Sequence, residues 1–339
     1  MAMTGQPTAL ITGAGGQDGT LLVAELARRG WRTVAVYGPG TTAPEPPRPE
    51  SVSLTCDLSD IPAAGQLIDE YAPTHVFHLA AISSVAASWA DPVGTAHLNG
   101  VLSVALADRC LRQPRPPRFV NASSGEIFAA ARRTPQDEST PLAPNSPYGA
   151  AKAFAHSMVV VFRARGLWAS NAILYNHESP CRPTTFVTRK ITSGVAAIAA
   201  GSAQRLTLGN LDARRDWGWA PDYVEAMIRI AEHDTPDDFV LATGTARSVR
   251  DFVHEAFAAV GITDWRHLVD TSEQFTRPAD ATALIGDSTH ARRTLRWSPT
   301  MSFPEIVRAM VRHDLDLIGA GHHDTGAGTN HDDKQEAAL

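Results

Sequence analysis

Short apolar runs alternate with amphipathic runs of helical length, and that rhythm limits what this chain can fold into. Strand-like runs fall at 8–12, 33–37, 52–56, 75–80, 118–123 and 167–174. Helix-like segments such as 19–29 lie between them, with Gly30 placed to end that helix. Strands separated by helices of this length pair in parallel, which predicts an α/β fold with a doubly wound parallel sheet. After about Asn176 the rhythm breaks. Proline, arginine and glycine become frequent, and 238–242 reads as one more strand.

Bulk properties exclude several classes of function. At 339 residues the chain can bury a large core in one or two domains. A formal net charge of -6 gives no reason to expect nucleic acid or an acidic membrane as partner. Cys56, Cys110 and Cys181 are few, scattered and odd in number, which fits a reducing, cytoplasmic location. A strand-like run begins within a few residues of the start, so no signal peptide is expected. No apolar stretch is long enough to span a bilayer.

The first strand runs into "TGAGGQDG". Gly13, Gly16 and Gly19 stand three apart, in a turn between a strand and a helix. Glycines there allow a tight turn and let backbone N–H groups approach a pyrophosphate at a helix N-terminus. This makes the sheet a Rossmann-type dinucleotide fold. Residues 1–175, with about 223–245, form the expected dinucleotide-binding domain. About 176–222 and 246–318 form a smaller, discontinuous substrate domain. The stretch 319–339 has no apolar period and reads as a disordered tail, with no metal site expected among its histidines. Asp57, just after the third strand, is placed either to accept from an adenine amino group or to cap the next helix. The second strand ends "VAVYGPGTT", with neither the acid that holds a ribose 2′-hydroxyl nor the arginine that holds a 2′-phosphate. The cofactor is therefore NADP or NAD.

The fifth strand ends "VNASSGEIF", which puts Ser124 and Glu126 at the carboxyl edge of the sheet, where ligands bind in such folds. Some twenty residues on stands Tyr148-x-x-x-Lys152. Positions i and i+4 share a helix face, so Lys152 can lie beside Tyr148 and a cofactor ribose. A nearby ammonium lowers a phenol's pKa from its usual value of about 10. Tyr148 is then a base for an alcohol losing hydride, and Ser124 can orient the same hydroxyl.

These motifs resemble the extended short-chain dehydrogenase/reductase superfamily and, within it, the GDP-mannose 4,6-dehydratase family. The closer resemblance rests on "GQDG" (16–19), "NHESPCRPTTFVTRKIT" (176–192), "LGNLDARRDWGWAPDYVEAM" (208–227), "SVRDFV" (248–253) and "RPADATALIGD" (277–287). It spans about residues 7–317. It implies a tightly bound NADP or NAD regenerated in each turnover, and a homodimer or homotetramer. Gln17, Asp18, Leu58 and Ala80 join Gly13, Gly16, Gly19, Asp57, Tyr148 and Lys152 as expected cofactor residues. The expected nucleotide-sugar clamp comprises Ser83, Asn176, Glu178, Arg182, Val187, Arg189, Lys190, Arg215, Arg277 and Asp280, its cations suited to a diphosphate.

The implied reaction begins with oxidation. Tyr148 removes a proton from the sugar C4 hydroxyl as hydride leaves C4, Glu126 takes the acidified C5 proton, water departs from C6, and hydride returns there. The chain departs from the family at several points. Ser124-Gly125-Glu126 stands where Thr-Ser-Glu is usual, and the glycine implies opened space. Trp219 and Pro221 replace a usual histidine and lysine. Two other readings stay open: an epimerase or dehydratase acting on a different nucleotide sugar or nucleoside-like substrate, and a non-catalytic nucleotide-sensing protein.

Overall fold

The computed structural model describes residues 5–272 and 284–324. Its strands are β1 (Thr8–Thr12), β2 (Arg32–Tyr37), β3 (Val52–Thr55), β4 (His75–His78), β5 (Arg118–Ser124), β6 (Ala169–Leu174), β7 (Asn176–Glu178), β8 (Leu206–Leu208), β9 (Arg214–Trp219), β10 (Asp238–Leu241), β11 (Ala246–Ser248) and β12 (Val269–Thr271). Its α-helices are α1 (Gln17–Arg28), α2 (Ile61–Tyr71), α3 (Val85–Ala90), α4 (Pro92–Ala96), α5 (Leu102–Leu111), α6 (Pro147–Ala164), α7 (Val187–Ala199), α8 (Ala220–Glu232), α9 (Val249–Ala258), α10 (Thr289–Leu295) and α11 (Phe303–Asp324).

Seven strands pair in parallel in the order β10-β6-β5-β4-β1-β2-β3. The order reverses between β1 and β4, and a crevice opens at the carboxyl ends there. Both faces are covered, as the alternation of side chains along each strand requires. β1 sends Ala9 and Ile11 into a cluster with Leu22 and Leu26 of α1 and Val224 and Met227 of α8. It sends Leu10 the other way, against Ile68 of α2, Leu106 of α5 and Phe162 of α6.

A smaller portion is built from the three-stranded sheet β11-β9-β7, the pair β12-β8, and helices α7, α9 and α11. Ile191, Trp217, Phe252, Phe257 and Met310 share its core. Two findings differ from the sequence reading. Residues 289–297 do not join this portion: Ala291, Leu295 and Trp297 pack with Tyr223 and Phe239 on the large sheet, where the Trp297 indole donates to the Asp222 carbonyl at 2.6 Å. Helix α11 also continues to Asp324, into the stretch read as tail, while 325–339 lie outside the described residues. No helix among the described residues is long and apolar enough to cross a membrane.

The Arg189–Asp314 pair joins α7 to α11. Arg189 Nε donates to both Asp314 carboxylate oxygens at 2.9 and 3.1 Å, and Nη2 to one of them at 2.5 Å. Its Nη1 donates to the carbonyls of Pro180 and Arg182 at 2.5 and 3.0 Å. Sequence reasoning placed Arg189 among the substrate cations. The structure corrects this, because its donors are engaged inside the protein. Removing one partner leaves an uncompensated buried charge, so Asp314→Ala should cost about 3–5 kcal/mol. Urea unfolding monitored by circular dichroism measures that loss, and a cost under about 1 kcal/mol would contradict the role.

Candidate active site

The glycine turn sits at the switch point. Gly13 has φ 75, a left-handed conformation, and a Cβ there would lie 2.7 Å from the Ala80 backbone nitrogen. A Cβ on Gly19 would run into the Gly13 carbonyl oxygen. Two glycines therefore let α1 start directly against β1 and the turn after β4. Gly16 precedes α1 and offers no side-chain cap, so the first N–H groups of the helix are left for another acceptor. A dinucleotide pyrophosphate fits this cradle. The Tyr37 ring and the Thr41 methyl lie 3.3 and 3.5 Å from a Cβ placed on Gly15, at the end of β2.

Asp57 is exposed and accepts from the Ser59 backbone N–H and hydroxyl at 2.9 and 2.7 Å. Asp60, not Asp57, caps α2 by accepting from the Ala63 N–H. The capping alternative for Asp57 is thereby removed. Leu58 and Ala80 are buried, and Ser83 is exposed just ahead of the Ser84 cap of α3. The loop at Ile82 is clamped by Asn99, whose side chain accepts from Ile82 N–H at 2.8 Å and donates to its carbonyl at 3.0 Å. A π-helical turn over His97–Val101 presents Asn99. That local widening leaves no residue-spacing signal in the sequence.

The catalytic candidates converge at the end of β5. Ser124 leaves the strand in extended conformation, and its hydroxyl accepts from the Glu126 backbone N–H at 3.2 Å. Helix α6 begins with Ser146 as cap and Pro147 in its first turn. Its next N–H, from Tyr148, donates to the Ser88 hydroxyl at 3.2 Å, a contact across 60 residues of chain. A Cβ on Gly149 would lie 2.7 Å from the Glu126 carbonyl oxygen. The absence of a side chain at Gly149 thus lets the Tyr148 turn press onto the Glu126 turn.

Burial pushes the Tyr148 phenol up to about 12, opposed by a hydrogen bond with Ser124; Glu126 and Asp18 push it further up and Arg182 pulls it down. Burial pulls the Lys152 amine down to about 8, and its Nζ donates to the Ala122 carbonyl at 2.8 Å. The lowering expected from Lys152 is not seen: burial outweighs the opposing effects of Ser124 and Arg182, and the phenol stands above its ordinary value.

A second set of contacts ties "GQDG" to "NHESP". Gln17 Nε2 donates to the His177 carbonyl at 3.0 Å, and the Ser179 hydroxyl donates to Gln17 Oε1 at 2.9 Å. His177 Nε2 lies 2.9 Å from each Asp18 carboxylate oxygen. The Gln17 and Asp18 side chains, expected to touch cofactor, are held by protein groups. Glu178 also departs from its expected role. It is buried, takes Arg182 in a bidentate pair at 3.0 and 3.1 Å, and accepts the Thr188 hydroxyl at 2.7 Å. It orients Arg182, whose guanidinium also stacks 4.4 Å from the Phe186 ring.

Among the described residues, the remaining clamp candidates fall on β7, β9 and α7. Asn176 pairs with Trp217 in the β7–β9 register, two residues from the buried Arg215. Val187 opens α7, which has no side-chain cap, and partial burial lowers the Lys190 amine in the same turn. Arg277 and Asp280 lie outside the described residues. Trp219 and Pro221 have a local explanation: they start α8, where proline needs no N–H partner.

Comparison with known proteins supplies the family. A family model for GDP-mannose 4,6 dehydratase matches residues 10–310. The chain belongs to the GDP-mannose 4,6-dehydratase family. GDP-mannose 4,6 dehydratase 2 of Caenorhabditis elegans is 38% identical over 348 residues, covering 92% of this chain and 90% of that protein. UDP-glucose 4-epimerase of Thermotoga maritima, solved with UDP-glucose, superposes with a TM-score of 0.81 at 23% identity, covering 92% of this chain and 99% of that one. The Thermus thermophilus UDP-glucose 4-epimerase complex with NAD gives 0.78 at 24% identity, covering 91% and 98%. These two likenesses concern the fold.

Gly125, a departure from the 4,6-dehydratase pattern, was expected to open space. The structure overturns this. A Cβ there would lie 3.2 Å from three atoms of the buried Tyr175 ring, whose hydroxyl donates to Gln136 Oε1 at 2.8 Å. To admit a serine the ring, held by its bond to Gln136, would have to give by a few tenths of an ångström. Gly125→Ser should therefore destabilise the protein by about 1–3 kcal/mol through overpacking. Gly125→Ser/Tyr175→Leu should recover more than half of that loss. Thermal unfolding of both variants checks this, and an unchanged melting temperature for the single variant would contradict it.

Proposed function

We propose that this chain is a nucleotide-sugar 4,6-dehydratase that converts GDP-mannose to GDP-4-keto-6-deoxymannose with a nicotinamide dinucleotide. One observation carries the reading: the Glu126 carboxylate stands near enough to the Tyr148 phenol to raise its pKa, and the turn that carries it is packed against the Tyr148 turn at Gly149. Proton removal from a sugar hydroxyl needs only Tyr148 and Ser124. A carboxylate beside them adds a base for a second carbon.

A nicotinamide dinucleotide held at the Gly13–Gly19 turn and beside Lys152 would supply the hydride acceptor for C4 and the hydride donor for C6, with no net consumption. Tyr148 takes the C4 hydroxyl proton while Ser124 holds that oxygen. The 4-ketone acidifies the C5 proton, which passes to Glu126. Glu126, now protonated, donates to the departing C6 hydroxyl, which leaves as water; as hydride arrives at C6, C5 takes back the proton held by Tyr148, relayed through Glu126, and the starting protonation states are restored. Arg182 stands near enough to oppose the rise of the Tyr148 phenol, and so favours phenolate. Arg182, Lys190, Asn176 and Arg215 are the groups we assign to the substrate diphosphate and sugar.

Tyr148→Phe should lower turnover by about 10²–10⁴-fold while keeping dinucleotide binding. Glu126→Gln should stop after the first oxidation, so reduced nicotinamide accumulates and solvent deuterium no longer enters at C5. Stopped-flow absorbance and mass spectrometry follow the two events. An unaffected rate of water loss in Glu126→Gln would remove Glu126 as the base.

The segment after β2 supplies no cation between residues 38 and 47, and Arg48 is paired with Glu50. We propose that this protein binds NAD+ within about tenfold of NADP+, a difference under ~1.4 kcal/mol. Calorimetric titration of the cofactor-free protein measures the ratio, and a hundredfold preference for NADP+ would contradict it.

The oligomer we propose uses the outer face of α6 and the π-helical turn beside it. Phe154 and Val161 on α6 are 47% and 48% exposed, and Val101 is 42% exposed. A second copy of the chain covers such a patch. Phe154→Glu should shift the particle toward monomer in light scattering. An unchanged mass would place the interface elsewhere.

A further inference from the structure

His177 sits between two acceptors. Its Nδ1 lies 2.7 Å from the Tyr175 carbonyl oxygen, which can only accept. Its Nε2 lies 2.9 Å from both oxygens of Asp18. An ionised carboxylate also only accepts, so both ring nitrogens must carry hydrogen. That ring is an imidazolium. It is buried and stacks 4.5 Å from the Tyr223 ring at an interplanar angle of 19°. Burial works against the charge on His177 and on Asp18, yet each partner outweighs it: the His177 pKa is raised and that of Asp18 is lowered.

The position of Asp18 makes this pair unusual. It lies in the first turn of α1, beside the glycine cradle that fits a pyrophosphate. A bare carboxylate there would repel a diphosphate and cancel the helix-end attraction. The other cation acting on Asp18 is Arg182, whose charge is shared with the Glu178 carboxylate in a bidentate pair. Gln17 contributes only a neutral amide, 3.3 Å from Asp18.

We propose that His177 is a positioning residue for the cofactor: its fixed positive charge neutralises Asp18 and so makes the phosphate cradle permissive for a dinucleotide. Asp18 is then a tether between the cradle and β7, not a ligand of the cofactor. The inference rests on the nicotinamide dinucleotide reading above. It makes signed predictions that a packing role does not. Removing the cation leaves an unpaired anion next to the diphosphate. Removing the anion does no such harm, and removing both restores neutrality.

The test is the dissociation constant of NAD+ and NADP+, titrated calorimetrically into cofactor-free wild type, His177→Gln, Asp18→Asn and the double variant. His177→Gln should bind both dinucleotides at least about tenfold more weakly, ~1.4 kcal/mol. That deficit should shrink as salt is raised, because screening weakens the repulsion. Asp18→Asn should bind within about threefold of wild type, under ~0.7 kcal/mol, and the double variant should match Asp18→Asn. Should His177→Gln fail to fold, Asp18→Asn and the double variant still decide. Tenfold weaker binding by Asp18→Asn would overturn the proposal, as would a double variant no better than His177→Gln. Wild type that binds neither dinucleotide would instead bring down the cofactor reading on which the proposal rests.

Discussion

Helix α6 can reach the end of β5 only because Gly149 has no side chain. A Cβ there would stand 2.7 Å from the Glu126 carbonyl oxygen, too close for the two turns to meet as they do. Every other feature of the site depends on this contact. It sets Tyr148 one residue before the approach and Glu126 at it, and one turn later it brings Lys152 to the Ala122 carbonyl on β5. The helix start is secured from its own sequence by Ser146 and Pro147, and from a distant segment by Ser88. Tyr148 and Glu126, the two bases we propose, are thus held on elements packed against each other at Gly149.

The two portions of the chain meet through polar contacts of a similar kind. Gln17, Asp18, His177 and Ser179 join the cradle at α1 to the strand that carries Asn176. Glu178 and Thr188 then fix Arg182, and Arg189 secures the start of α7 to α11. Buried ionic groups of this type cost desolvation and are tolerated where their partners are complete. Here they set the distance between the glycine cradle and the cations we propose for the substrate.

Much of this could be read in the sequence because it is local. The apolar run of β1, the three glycines after it and the i, i+4 spacing of Tyr148 and Lys152 each act within one turn or strand. The order of the motifs along the chain then placed Ser124 and Glu126 at the carboxyl edge. What escaped depends on partners far away in the chain. Arg189 looked like a phosphate ligand because its partner Asp314 lies 125 residues on. Glu178 looked like a sugar ligand because its motif does not reveal that Arg182 folds back on it. Gly125 looked like vacated space because nothing in its neighbourhood announces the Tyr175 ring. Residues 289–297 were assigned to the smaller portion, since sequence order cannot show that Trp297 returns to Asp222.

The central claim is that one constellation removes hydride from C4 and water from C5 and C6, and then returns the same hydride. Its most direct test supplies GDP-mannose carrying deuterium at C4 and locates the label in the product by mass spectrometry and proton NMR. The account predicts a 4-keto-6-deoxy product lighter by one water, with deuterium at C6 and a dinucleotide pool that stays unlabelled. A product of unchanged mass, or deuterium lost to the free dinucleotide pool, would contradict it.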